Sequence, residues 1–438
     1  MLIIYNLLSL LSLIAYLPWL LSKKGPENRL QYLKERLGIS EYTNADLWIH
    51  AVSVGEVMAA LPFLASLKKE FPGIKIVLST TTYTGQKIAR EKFPSADRIM
   101  YIPWDTWLTI RKAVRAIKPK IFITIETELW PALFSILKKN GSCIVLLNGR
   151  ISPESFKGYK LIKPFMKKVL SYLDYIYMQG ETDAERIIAI GADKKKVGIM
   201  GNFKFDIELD KKESVRWMDG VKGKILLAGS THKGEEEIVL DAYEEVKKSF
   251  PDLKLILAPR HPERFNEAEE ILKKRNLNFI RRTELIRVQS TEHRTQNTDN
   301  PPFHPLLKGG EGGLEPPDII LLDSIGELSR LFSGADVTFI GGSLLPFGGH
   351  NILEPAYWGK PSIFGPHMEN FPIAKDFLME GAAIMVKDSG GLAAAIKDLL
   401  ENTEKAEHMG QKAKGIIDKN TGAVKKAVAL VRSFLGNS

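Results

Sequence analysis

The chain has 438 residues, too many for one ordinary domain, and its 44% apolar and 26% charged composition is that of a globular protein with a large core. Cys143 is the single cysteine, which excludes an intrachain disulfide and a cysteine-cluster zinc site; within the apolar run 143–147 it reads as a small buried hydrophobe. The net charge of +9 suits nucleic acid, an anionic membrane surface or anionic small substrates, and without an RNP signature, zinc finger or arginine-rich arm nucleic acid is the weakest of the three.

Residues Met1–Ser22 carry no charge, and as a helix they would span roughly 33 Å, enough to cross a hydrocarbon core. Trp19 stands near the end of this run, followed by Lys23, Lys24 and Arg29. That aromatic and basic flank predicts an uncleaved N-terminal membrane anchor, either spanning or partly inserted, with the body of the protein in the cytoplasm. A cleaved signal peptide would need a basic start and a small-residue cleavage site, and neither is present.

Short apolar runs then alternate with helical patterns. Strands are expected at 47–52, 74–78, 121–125, 143–147 and 174–178, with helices over 57–71, 85–93, 131–139 and 182–190. A polar linker near 210–223 interrupts the rhythm, which restarts with strands at 224–228, 253–258, 318–322, 337–340, 361–364 and 383–386 and helices over 235–250 and 262–274. Such alternation predicts βαβ units and parallel sheets. The expected organisation is an anchor at 1–22, a Rossmann-like acceptor domain at 23–210, a Rossmann-like nucleotide-sugar domain at 211–405 and a basic C-terminal helix at 406–438. The Pro-, Gly- and polar-rich stretch 291–317 has no usable period and reads as a disordered insertion.

Five motifs sit at strand ends. In Trp48-Ile-His-Ala-Val-Ser-Val-Gly-Glu56, Gly55 permits a sharp turn and Glu56 opens a helix whose dipole would keep its carboxylate ionised, as suits a general base; a helix-start Glu with only a structural role is an equal reading. Glu126-Thr-Glu-Leu-Trp-Pro131 follows an apolar strand, at the edge where open α/β sheets bind ligands; two solvated loop acids are the plain alternative. Leu227-Ala-Gly-Ser-Thr-His-Lys-Gly-Glu235 runs from a strand through a small-residue turn into a helix, where backbone amides hold phosphate well, although the spacing is not that of a P-loop. Ala258-Pro-Arg-His261 offers a guanidinium fork at Arg260 and an imidazole at His261, which is equally a structural histidine. In the loop from Gly341 to Pro355, double glycines let backbone wrap a phosphate, Asn351 can cap the next helix, and Glu354 could accept both ribose hydroxyls.

Together these motifs, with Gly201-Asn-Phe-Lys-Phe-Asp206 and Gly348-Gly-His-Asn-Ile-Leu-Glu-Pro355, resemble the Kdo (3-deoxy-D-manno-octulosonic acid) transferases over nearly the whole chain, the stretch 291–317 excepted. The resemblance implies the GT-B glycosyltransferase fold: α/β, with two doubly wound Rossmann-like domains facing a cleft and an N-terminal anchor helix at the inner membrane. It implies Kdo transfer from CMP-Kdo to a lipid A precursor (lipid IVA) in lipopolysaccharide synthesis, with inversion, no cofactor and no metal in the transfer step. It makes Glu56 the general base and Glu126 a second acid. Lys204 and Arg260 would face the donor's carboxylate and phosphate. Ser230, Thr231 and His232, with His261 beside them, and the loop Gly348, Gly349, His350 and Asn351 would hold CMP, with Glu354 on the ribose. Ile325, Gly326 and Glu327 would shape the cytosine pocket through their backbone.

Two other readings compete. One is a GT-B transferase or epimerase that uses a UDP-sugar. The other is a non-catalytic, membrane-tethered sugar-nucleotide module, against which a Gly-Glu turn suited to a base argues.

Overall fold

The computed structural model describes residues 2–22, 29–206, 217, 218, 221, 223–285 and 317–436. Met1, Lys23 and Lys24, most of the expected linker and all of the stretch 291–317 except Pro317 lie outside these residues. The chain divides into two compact units, Met1–Asp206 with Asn420–Ser438, and Ile207–Lys419.

The first unit is built on seven strands: β1 Leu47–His50, β2 Ile76–Thr80, β3 Arg98–Tyr101, β4 Ile121–Ile125, β5 Cys143–Gly149, β6 Tyr175–Met178 and β7 Val197–Ile199. All pairs are parallel, in the order β3-β2-β1-β4-β5-β6-β7. β1, β2 and β4 are buried along their whole length, which is why they read as continuous apolar runs rather than alternating ones. The strand order turns at β1 and β4, which lie side by side with His50 opposite Thr124. The loops leaving these two strands therefore emerge as neighbours, at the switch point where open α/β sheets bind ligands.

The second unit repeats the plan with β8 Ile225–Thr231, β9 Lys254–Pro259, β10 Phe279–Arg281, β11 Ile319–Leu321, β12 Val337–Ile340, β13 Ser362–Phe364 and β14 Ala383–Met385. Its parallel order is β10-β11-β9-β8-β12-β13-β14. Here β8 and β12 are the neighbours at the switch point, Gly229 opposite Ile340.

The N-terminal segment forms a helix, Leu2–Ser22. Among the described residues no helix is long and apolar enough to cross a membrane, so the expected spanning anchor over Met1–Ser22 is not supported. In its first three turns, one side of this helix is polar and bonded to the domain. Tyr5 hydroxyl donates to Asp105 Oδ2 at 2.8 Å, Asn6 Oδ1 accepts from Trp107 N at 2.8 Å, and Ser9 Oγ donates to the Asp105 carbonyl at 3.0 Å. Leu13 is buried, and Tyr5 stacks on Phe165. Ile3, Ile4, Leu7, Leu8, Leu11 and Ile14 stay exposed, and their spacing puts them on one face.

The basic C-terminal region is two helices, Thr403–Asn420 and Ala423–Leu435, broken at Gly422 with φ of 98°. The second packs Ala423, Val424, Ala427, Val428 and Val431 into the first unit's core. The Asp206 carboxylate caps it, accepting from Gly422 N at 2.5 Å and Val424 N at 2.7 Å. The last acid of the Gly201–Asp206 motif thus fastens this helix.

Candidate active site

In the first unit, β1 ends at His50 and the chain turns through Val52 and Ser53 into the helix Val54–Glu70. Ser53 is the N-cap, and Glu56 stands in the first turn and is buried. Its carboxylate reaches back, accepting from Val52 N at 2.7 Å and Ser53 Oγ at 3.1 Å. These bonds are those of a helix-capping acid. An acid that only capped would be held ionised, and the sequence reading expected that of Glu56. The structure reverses the sign. Burial pushes the Glu56 carboxyl up to about 7, the Val52 amide pulls it back, and the charges of Glu128 and Glu126 push it up again. A carboxylate near 7 is a far stronger base than an ordinary one and can still shed its proton at neutral pH.

Glu126 and Glu128 come from the neighbouring loop after β4. Glu126 has φ of +57°, a left-handed conformation that a residue with a Cβ rarely adopts, and its N–H donates to the Leu147 carbonyl at 3.0 Å. Glu128 is likewise held above its ordinary value, by burial first and then by Glu126. Next to them lies His50, fully buried, with Nδ1 3.1 Å from the Ser79 carbonyl and 3.0 Å from Ser79 Oγ, and its ring edge-on to Trp130. Burial drives its pKa down to about 3, so the imidazole is neutral and serves packing rather than proton transfer at neutral pH. Asn148, at the end of β5, shares the left-handed conformation with φ of 57° and accepts from Phe203 N at 3.0 Å through Oδ1, fixing the turn that carries Lys204. Nothing in the apolar pattern of β5 marks Asn148 out, and the sequence reading missed it.

In the second unit, the last two residues of β8 are Ser230, also left-handed with φ of 58°, and buried Thr231. The turn was expected to offer its amides to phosphate. Glu235 takes one of these amides, His232 N. This fully buried carboxylate accepts from His232 N at 2.9 Å, Gly342 N at 2.6 Å, Ser343 N at 2.9 Å and Leu344 N at 2.9 Å. An internal anion fills the nest and clamps the β8 turn to the loop after β12. Its neighbour Glu236, also fully buried, accepts from Thr231 Oγ1 at 3.0 Å and pairs with Arg264 at 2.9 Å.

The clamp presents three imidazoles and a guanidinium. His232 stacks on Phe347 at 4.3 Å and on His350 at 5.0 Å, with His261 edge-on at 5.4 Å. Burial lowers the pKa of His232, helped by the charges of His261, Arg264 and Arg260; burial and Arg260 lower that of His350 to about 4. The Arg260 side chain is exposed and forms no ion pair among the described residues, which leaves its fork available to an anion. Asn351 Oδ1 accepts from Leu353 N at 3.1 Å at the start of the helix Leu353–Tyr357, and its Nδ2 donates to Glu354 at 3.1 Å. Burial raises the Glu354 carboxyl, with Asn351 and Arg260 pulling the other way.

The structure adds local contacts at two further expected segments. Gly348 and Gly349 have φ of 89° and 74°, but a Cβ there would meet Asn370 Nδ2 at 2.3 Å and Met368 Sδ at 2.3 Å. The double glycine is needed to pack this loop on the segment 367–370. The Glu327 side chain is bonded to Arg282, bidentate at 3.0 Å through both Nε and Nη2, and to Ser324 Oγ at 3.0 Å. Among the described residues no group of three or more His, Cys, Asp or Glu side chains is arranged to hold a metal ion.

A family model described as 3-deoxy-D-manno-octulosonic-acid transferase (kdotransferase) matches residues 31–207. The 3-deoxy-D-manno-octulosonic acid transferase of Haemophilus influenzae is 34% identical over 429 residues, 95% of this chain and 94% of that protein. The chain belongs to the Kdo transferase family. The Rickettsia felis Kdo transferase is 31% identical over 90% of this chain and 81% of its own. Solved structures extend the fold relationship. The UDP-GlcNAc 2-epimerase of Neisseria meningitidis, 13% identical, covers 90% of this chain and 100% of its own with a TM-score of 0.55, and the glycotransferase of kitacinnamycin, 15% identical, covers 89% and 99% with a TM-score of 0.52. The Kdo transferase described here is therefore a glycosyltransferase made of two parallel-sheet units with the GT-B plan.

Proposed function

We propose that this Kdo transferase moves Kdo from CMP-Kdo to a hydroxyl of a lipid A precursor, lipid IVA, with inversion at the anomeric carbon and Glu56 as the general base. The observation that carries the reading is the Glu56 carboxyl: buried, anchored by the Val52 amide and raised to about 7 beside two further acids. Inversion needs one displacement. The acceptor oxygen attacks the anomeric carbon while Glu56 takes its proton, and the phosphate of CMP leaves with the electron pair of the broken C–O bond. Burial first, and then Glu128 and Glu126, hold the base near neutrality. In the second unit, Arg260 with the histidines takes the phosphate, Glu354 the ribose, and the backbone at Ile325 and Gly326 the base; Lys204 in the first unit takes the Kdo carboxylate.

The N-terminal helix supports attachment to the cytoplasmic face of the inner membrane by partial insertion. Its exposed apolar face from Ile3 to Ile14 suits the acyl boundary, and Arg111, Lys112 and Arg115 on the neighbouring helix Trp107–Ile117 line a shallow groove suited to anionic headgroups.

Nucleotide competition tests the donor. CMP should bind the full chain and inhibit transfer, and UDP should bind at least about tenfold more weakly, a difference of about 1.4 kcal/mol. Preferential binding of UDP would favour the UDP-sugar alternative and overturn the reading.

A further inference from the structure

His232 and His350 meet Nε2 to Nε2 at 2.7 Å with nearly parallel rings. At that distance two lone pairs repel and two N–H groups clash, so the pair holds one proton between the nitrogens, donated by one ring and accepted by the other. Each Nδ1 is left without a protein partner among the described residues. Gly342 makes room for the arrangement, since a Cβ there would lie 2.9 Å from His350 Cδ2 and 3.3 Å from His232 Cδ2.

The groups around the pair are mostly cationic or neutral. Arg260 and His261 face both rings, Arg264 acts on His232, and Phe347 covers the His232 face. The nearby carboxylates are engaged elsewhere: Glu235 by four backbone amides, Glu236 by Arg264 and Thr231, Glu354 by Asn351. Without a ligand the surroundings therefore hold both imidazoles neutral. A phosphate at this place changes the sign of the local field, and an opposite charge within about 4–6 Å raises a histidine by roughly 1–3 pKa units.

We propose that binding of the nucleotide phosphate is coupled to uptake of a solvent proton by the His232–His350 pair. This rests on the CMP reading of the site. The added proton goes to an Nδ1 and leaves the bridging proton in place. During transfer the bond between the anomeric carbon and the phosphate oxygen breaks, its electron pair stays on that oxygen, and the phosphate gains one negative charge. The imidazolium and Arg260 offset that charge, and the extra proton returns to solvent when CMP departs. The pair thus acts as a rechargeable cation that is silent in the empty site.

The test is calorimetry of CMP binding to the full chain at pH 7.0 in buffers of different ionisation enthalpy, corrected for the small protonated fraction of CMP itself. The expected result is a heat that varies linearly with buffer ionisation enthalpy, with a slope of roughly half a proton taken up, and a CMP affinity that rises as pH falls from 8 to 6.5. His350→Asn and His232→Gln should each abolish the slope while CMP still binds, though more weakly. Heat independent of buffer in the wild type overturns the coupling and leaves the CMP reading standing. A slope that survives both variants, or that His261→Asn alone removes, overturns the assignment to this pair. Absence of any CMP binding overturns the CMP reading and the coupling with it.

Discussion

The Tyr5 hydroxyl donates to Asp105 Oδ2 at 2.8 Å, joining the N-terminal helix to a carboxylate that also accepts from Ala132 N at 3.1 Å and Leu133 N at 2.8 Å. Those amides open the helix Pro131–Lys139, which follows the Glu126–Trp130 loop directly. The N-terminal helix is therefore a brace for the acid loop. Tyr5→Phe should cost about 1–2 kcal/mol in urea unfolding, and deletion of residues 1–22 should lower the melting temperature of the remaining protein rather than release it unchanged. Burial also pushes Asp105 up to about 6. A carboxyl whose folded pKa lies above its unfolded value binds its proton more tightly when folded. Its contribution is fully present below about 4 and is lost as pH rises to about 6, and Asp105→Asn should flatten that part of the stability profile.

Glu56 must be ionised to accept a proton, so turnover should fall as pH drops through about 7. Glu128→Gln removes a negative charge that raises Glu56, and the acid limb of the rate profile should move to lower pH; Glu126→Gln should move it in the same direction by less. A limb that stays in place in both variants would mean that another group sets it.

Glu235→Ala would strand four backbone amides in a fully buried nest. The second unit should lose about 3 kcal/mol or more by chemical denaturation, since breaking a buried charged network typically costs that much. Glu235→Gln keeps an acceptor oxygen and should fold, with CMP binding weakened because the β8 turn and the loop after β12 are no longer clamped together. Unchanged stability in the alanine variant would show that water replaces the carboxylate at no cost.

The sequence disclosed elements in proportion to their burial. The helix Pro131–Lys139 is expected and observed with the same ends, because a proline at its start and an apolar strand before it leave little choice. The strands β3, β7 and β10 were not anticipated. Each lies at a sheet edge with one neighbour, is only partly buried, and needs no continuous apolar run. The same limit governed the site. The Gly55-Glu56 turn was legible as a strand-to-helix turn, but the raised Glu56 carboxyl was not, since it depends on burial and on two acids from the loop after β4. Glu235 was invisible as an anion because its amide partners at Gly342, Ser343 and Leu344 are 107 to 109 residues away. The contacts of the N-terminal helix were hidden for a related reason: a run without charges does not reveal that Tyr5, Asn6 and Ser9 share a face turned to protein.

The most direct measurement is product mass spectrometry of the full chain incubated with CMP-Kdo and lipid IVA, run alongside the Glu56→Gln variant. The wild type should add the mass of Kdo to the acceptor and release CMP. Glu56→Gln should do so at least about 10²-fold more slowly while its affinity for CMP stays near that of the wild type, because the amide keeps the shape and loses only the proton-accepting oxygen. An acceptor that gains no mass from CMP-Kdo, or a Glu56→Gln variant that transfers at the wild-type rate, would contradict the account.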